Sequence, residues 1–478
     1  MKPLEPEKWN RKRAAHLLVR SGFGATPAQI DAAVAQSLEK TVDVLFQIPK
    51  NVEPPKWITP GVAFKPDFRG MNALTDDERR RLRRLYQRES AQNARNLGIW
   101  WIQRMITSPC PLQEKMALFW HGHFATSIRK VKVPYMMYKQ NQTFREHAFG
   151  NFQKLVTAVS QDPAMLVYLD NTRSKAGSPN ENYARELMEL FTLGEGHYTE
   201  EDIKASARAF TGWQMQPTRY EFINNTRNHD SGKKTFLGQT GNFDGNDIIR
   251  IILEQEQSSK FMVSKLWNFF AYENPSTKII DELAQTFRDN KYELKPLLTA
   301  IFTSNAFYSK KAMRTQIKSP AQWLAGSCMA LGIKDPDPNL SANAMRTLGQ
   351  ELFNPPNVKG WDDGYSWITT ASLTARYNLA NQLINQRKRI KPTEDKKRRR
   401  FGGYIVDTAD VLPWNKRNRL EEARSHLEYV VYQPPLAKED RAKIDSFFDT
   451  LNPVSDWTDA DVRNILHVMM STPQYQLT

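Results

Sequence analysis

The chain has 478 residues, 40% hydrophobic and 11% aromatic, and 67 Lys and Arg against 52 Asp and Glu give it a formal net charge of +15. This excludes a disordered chain and allows a large packed core. No stretch approaches the roughly 18 to 20 consecutive apolar residues of a membrane span. Two cysteines, Cys110 and Cys328, exclude a disulfide framework and a cysteine-rich zinc site. Buried free thiols are the expectation for them, with a single bridge as the alternative.

The first residues, MKPLEPEKWNRKRAAHLLVRSGFG, carry charges but no apolar stretch and no small-residue cleavage site. A cytoplasmic protein is expected; export together with a partner is the alternative. A short helix opens at Trp9 and breaks at Arg20-Ser-Gly-Phe-Gly. Thr26-Pro27 starts another, with a cap and a proline in its first turn. Residues 51–72 are Pro-rich and apolar, a long loop. Thr75-Asp-Asp-Glu78 is a capping box for a helix running to about Thr107, and its RRRLRR run at 79–84 reads as a solvated face. A helix from Pro111 ends near His121-Gly122-His123.

Helices are then expected over 247–270, 278–302, 319–331 and 372–387, with a small β-hairpin insertion around 218–238. The fold class that follows is predominantly all-α, a large multi-helix array. Residues 1–386 form its core, a basic loop spans 387–400, and a C-terminal helical segment occupies 401–478. Three segments align without gaps: LVTAVSQDPAM (155–165), LLTAIFTSNAF (297–307) and ILHVMMSTPQY (465–475). Each reads as an apolar helix end, a polar cap and an apolar residue turning inward. Repeated helix pairs or a common helix-end pattern would both produce it.

The chemistry concentrates between Asn180 and Trp213. Asn182, Arg185, Glu186 and Glu189 stand at i, i+3, i+4 and i+7, on one helix face. Glu186 or Glu189 is the expected acid–base residue, with Arg185 tuning it or holding an anionic group. His121 and His123 would ligate one divalent transition metal if both pointed inward, with a carboxylate or His229 completing the set. The competing reading makes one imidazole a helix cap and the other a buried hydrogen-bonder.

His229 and Asp230 form an acid–base pair or a turn. Lys234 offers a cation to an anionic substrate. Asn354-Pro-Pro-Asn-Val-Lys-Gly-Trp361 is a rigid loop, so Asn357 and Trp361 are candidate substrate contacts, together with Tyr365, Trp367 and Arg376. An ion pair with Glu186 or Glu189 is the structural alternative for Arg376. The basic charge favours anionic ligands. Nucleic acid is disfavoured, because no zinc-finger spacing, aromatic RNP-type strand or GxxG loop is present.

HLLVRSGFGAT, LFWHGHFATS, NENYARELMELFTLGEGHYTEEDI, ARAFTGW, HDSGKKTFLG, FMVSKLWNFF and NPPNVKGWDDGYSWITTASLTARYNL occur in that order. By these motifs the chain resembles the bacterial "domain of unknown function 1800" family over nearly its whole length. The resemblance implies a large, mostly helical protein and assigns no activity. It also implies a sulfatase-like partner encoded nearby, and often an export leader, which the N-terminus here does not show. Two functions are carried forward. One is a metal-dependent or acid–base hydrolase acting on an anionic or carbohydrate substrate; the alternative is a non-catalytic scaffold or accessory partner of the sulfatase-like protein. Nucleic-acid binding is the second alternative.

Overall fold

Helix starts follow side-chain caps. Thr26, Thr75, Thr199, Asp244, Thr369 and Thr458 each accept a hydrogen bond from the backbone three residues on, and that residue's side chain bonds back. The Thr75 box opens an unbroken helix of 32 residues, Asp76–Thr107. The computed structural model describes residues 1–48, 54, 55, 57, 58, 74–217, 219–390, 400–433 and 435–478. Among these there are 22 α-helices and three two-stranded antiparallel sheets, so the fold is predominantly all-α. The Pro-rich 51–72 stretch lies outside the described residues, except for positions 54, 55, 57 and 58.

Two segments whose periodicity predicts one long helix each are interrupted. Gln255 is extended and separates Gly245–Glu254 from Glu256–Phe270. Lys291 and Tyr292, both left-handed, separate Thr277–Asp289 from Leu294–Thr303. At the second break the backbone pairs with residues 150–152: Phe152 N–H donates to the Tyr292 carbonyl and Leu294 N–H to Gly150, both at 2.9 Å. Such bonds compete with helix continuation, and a hydropathy pattern does not report them.

The single hairpin expected at 218–238 is two. Trp213–Gln216 pairs with Glu221–Asn224, and Lys234–Phe236 with Gln239–Gly241. Leu237 and Gly238, with φ of 45° and 80°, make the second turn, where a pair of positive φ values matches strand twist. A third pair, Arg387–Ile390 with Arg400–Tyr404, flanks the basic segment expected to be a loop, whose residues 391–399 lie outside the described residues.

The three aligned segments share one local structure. Asp162, Ser304 and Thr472, at equivalent positions, cap short helical turns by accepting from Met165, Phe307 and Tyr475 N–H. Those three residues are buried. A single hydrophobic cluster runs from Leu4 to Tyr475, so side chains from both ends of the chain share one core. Tyr429 OH donates to the Pro27 carbonyl at 3.2 Å, and Ala25 N–H to Gln433 Oε1 at 3.1 Å, fixing the Leu420–Tyr432 helix against the start of the chain. Cys110 and Cys328 are buried free thiols.

Candidate functional site

The helix Pro111–His123 lies deep in the core, with both imidazoles at its C-terminal end. Residues two apart on a helix are rotated by about 200°, so the two rings leave on different sides. His121 packs among Trp101, Phe144, Phe353 and Trp361; His123 packs among Phe119, Phe124, Phe191 and Phe261. Nε2 of His121 accepts from Phe353 N–H at 3.1 Å, which places its proton on Nδ1. Nε2 of His123 donates to the Phe191 carbonyl at 2.9 Å, so its proton sits on Nε2.

Burial lowers both rings to a pKa of about 3, and both are therefore neutral at physiological pH. The expectation of one metal bound by His121 and His123 is corrected by this geometry. The rings diverge, and each Nε2 is committed to backbone. Among the described residues no group of three or more His, Cys, Asp and Glu is placed to hold a metal ion.

The imidazoles instead brace two segments. His123 holds the carbonyl of Phe191 near the end of the turn that carries Glu189 and follows Glu186. His121 holds the N–H of Phe353, a bulky residue in the left-handed region (φ 63°), whose carbonyl accepts from Ile128 N–H at 2.8 Å. Phe353 leads into the loop ending at Trp361. There Gly360 has φ 90°, and a Cβ on it would run into the Gly122 carbonyl oxygen. Trp361 meets His121 edge-on at 5.3 Å between ring centres. The Gly122 and Gly360 backbones thus close on each other between the two imidazoles.

The glutamates sit where the first brace ends. Asn180 caps the helix Glu181–Glu186 by accepting from Asn182 N–H at 2.9 Å. The chain continues as a π-helix, Leu187–Thr192, a wide turn that occurs frequently at functional sites. Leu187, Met188 and Phe191 are buried, and Glu186 and Glu189 lie partly buried at the rim. Tyr198 OH donates to Glu189 Oε2 at 3.2 Å.

No donor among the described residues reaches the Glu186 carboxylate. Burial and then the neighbouring Glu189 raise its pKa above the usual carboxylate range, while Arg185 and Lys359 pull the other way. Lys359 is exposed in the loop that His121 braces, its backbone fixed by Asn357 Oδ1 accepting from Lys359 N–H at 2.8 Å. Tyr168 feels the charge of Glu186 as well. Glu186, Glu189, Lys359, Tyr168 and Tyr198 therefore form one neighbourhood.

The remaining predicted residues lie outside it or are occupied. Arg185 makes a two-pronged pair with Glu200 at 2.8 and 2.9 Å, which ties its helix to the start of Glu200–Ala209. Asn182 is exposed beside it. His229 donates from Nδ1 to the Thr211 carbonyl at 3.0 Å, while Asp230 binds Arg208 at 2.7 and 3.1 Å, which holds the Asp230 carboxyl down at about 2. The His229–Asp230 acid–base pair is thus corrected to a turn. A Cβ on Gly212 would meet Asn225 O at 2.6 Å, so this turn crosses directly over the Thr-Gly-Trp segment.

Lys234 is buried, and its ammonium donates to the Asp230 and Gly232 carbonyls, which removes it as a substrate cation. Arg376 is buried against Gln476 Oε1 at 3.0 Å and the Lys318 carbonyl at 2.9 Å, and pairs with neither glutamate. Asn357 shapes its own loop and Trp361 packs on His121. Of the other two aromatic candidates, Trp367 is buried and Tyr365 is 86% exposed.

Lys359, Tyr168 and Tyr198 were not singled out by sequence reasoning. Lys359 was within sight, inside the Pro-Pro-Asn-Val-Lys-Gly-Trp motif. Nothing in spacing points to the tyrosines, which tertiary packing brings in.

Fold and site define a predominantly all-α protein that carries two neighbouring carboxylates, one ending an α-helix and one on the π-turn that continues it, near a lysine-bearing loop. The chain belongs to the family described as protein of unknown function (DUF1800), whose model matches residues 16–477. No curated protein and no solved structure matches it. No helix among the described residues is long and apolar enough to cross a membrane.

Proposed function

We propose that this protein is an acid–base hydrolase whose catalytic pair is Glu186 and Glu189, acting on an anionic or carbohydrate substrate. The observation that carries the reading is Glu186 itself, a partly buried carboxyl with no donor among the described residues and a raised pKa, beside a second carboxylate that a tyrosine orients. Two carboxyl groups in unlike environments suit the two roles of hydrolysis. Protonated Glu186 gives its proton to the leaving oxygen as the bond to it breaks. Glu189 takes a proton from the water that adds. Lys359 holds an anionic substituent, and Tyr168 and Tyr198 wall the site.

The test is turnover of a panel of nitrophenyl glycosides and phosphate and sulfate esters of sugars by the purified full chain. A hydrolysed member should be lost with Glu186→Gln and should show a rate that falls as pH rises through the Glu186 pKa. Equal rates in wild type and Glu186→Gln, or no turnover across the panel, overturn the reading.

A scaffold or accessory role is the second reading. It is favoured by the internal bonds that absorb His121, His123, Asp230, Lys234 and Arg376, leaving those groups nothing to offer a substrate. Recovery of a sulfatase-like protein in a pull-down with the full chain, together with an inert substrate panel, supports this role; a monomer at all lysate concentrations counts against it.

A further inference from the structure

A cleft of about 630 Å³ opens between the long helix Asp76–Thr107 and the helix Pro338–Thr347. Its volume is that of a small-ligand pocket. Its two parts differ in chemistry. Ile99, Ile102, Ile128, Met345 and Leu352 make an apolar floor. Gly98 deepens it, since a Cβ there would meet only Leu352 Cβ at 4.0 Å. A glycine inside a long helix is less stable than alanine there, so this space has a cost to stability.

The walls are cationic. Arg83, Arg95, Arg129, Lys132 and Arg346 line the cleft against one acid, Glu351, which already pairs with Arg129 at 3.5 Å. Among the described residues the other four cations meet no carboxylate. Arg95 and Arg346 are held instead by neutral oxygens of Asn339 and Asn343, at 2.8 and 3.1 Å. Arg83 belongs to the run expected to be a plain solvated face, whereas Arg79 and Arg80 of that run pair with Asp76 and Asp77. Ser341, buried in the cleft wall, meets no hydrogen-bond partner for its hydroxyl among the described residues.

We infer that this cleft binds a single-chain anionic amphiphile of the fatty-acid type, with its chain on the Ile99–Met345 floor and its carboxylate among Arg95, Arg346 and Lys132. Four cations that meet no carboxylate among the described residues, over an apolar floor, complement a molecule with one compact negative end and a hydrocarbon body. A neutral lipid would leave the cations unused, and a small inorganic anion would leave the floor wet. The site is separate from the Glu186 neighbourhood, and its occupancy does not depend on that site being catalytic.

The experiment is titration of the full chain by calorimetry with palmitate below its micelle concentration. Hexadecanol, acetate and vesicles of anionic phospholipid are the comparison probes. Saturable binding of palmitate at one site is expected, at least tenfold tighter than hexadecanol, with no response to acetate. Gly98→Leu, which fills the floor, and Arg95→Gln with Arg346→Gln should each weaken palmitate at least tenfold, while Gly98→Ala keeps the fold and reports any helix effect. In wild-type protein a diazirine-bearing palmitate should label peptides from 83–102 and 341–352, a readout independent of any variant's folding. Labelling confined to other peptides, equal binding of hexadecanol, response to vesicles alone, or a folded Gly98→Leu protein that binds as wild type overturns the assignment.

Discussion

Glu114→Gln tests how the core that holds the imidazole helix is built. Glu114 is fully buried, and its carboxylate accepts from Trp101 Nε1 at 3.0 Å, Arg104 Nε at 2.7 Å and Arg145 Nη2 at 2.8 Å. Arg145 is 2% exposed, and its other contacts are the Asn141 carbonyl and the faces of Trp100 and Trp101. The amide keeps the shape of the side chain and removes the charge, leaving the guanidinium buried without a counter-ion. Breaking such a pair costs about 3–5 kcal/mol. The cation–π contacts return part of this, on the order of 1 kcal/mol. We therefore expect a loss of about 3 kcal/mol at pH 7. Urea unfolding followed by tryptophan fluorescence and far-UV circular dichroism reads it, with coincident curves required before a free energy is taken. Glu114→Leu with Arg145→Met, which removes both charges, should recover much of the loss. A loss under about 1 kcal/mol, or a double variant no better than the single one, would show that the pair does not hold this core.

The same carboxylate predicts a pH effect. Burial pushes Glu114 up, but Arg145 and Arg104 outweigh it and the net direction is down. Its contribution is therefore present above the unfolded value of about 4.3 and lost as pH falls through the lower folded value. Glu114→Gln should lack that acid limb.

Asp162 predicts the opposite sign. Burial raises it to about 7, so between about pH 4 and its folded value the native state holds the proton more tightly and stability falls as pH rises. Asp162→Asn keeps a good cap and should flatten that slope in stability measured from pH 4 to 8. Gly360→Ala forces a methyl group into the Gly122 carbonyl at φ 90°, and should cost at least about 1–2 kcal/mol in urea unfolding and release Lys359 from the site. His123→Phe leaves the Phe191 carbonyl without its donor, at about 1–3 kcal/mol by the same assay, and the metal content of the purified protein, read by mass spectrometry, should equal that of wild type.

The sequence alone determined what depends on near neighbours: the helical class, the cap at Thr26, the capping box at Thr75, and the shared turn at residues 162, 304 and 472. These rest on hydrogen bonds and side-chain faces set within about one helical turn, which a linear pattern records. Only the tertiary structure decided which motif residues meet. His121 and His123 looked like one metal site because spacing does not show that helical rotation separates them and that each ring reaches a distant backbone group. Lys359 and Glu186 lie far apart in the chain and are brought together because the Gly360 backbone closes on Gly122, a fit fixed by packing in three dimensions.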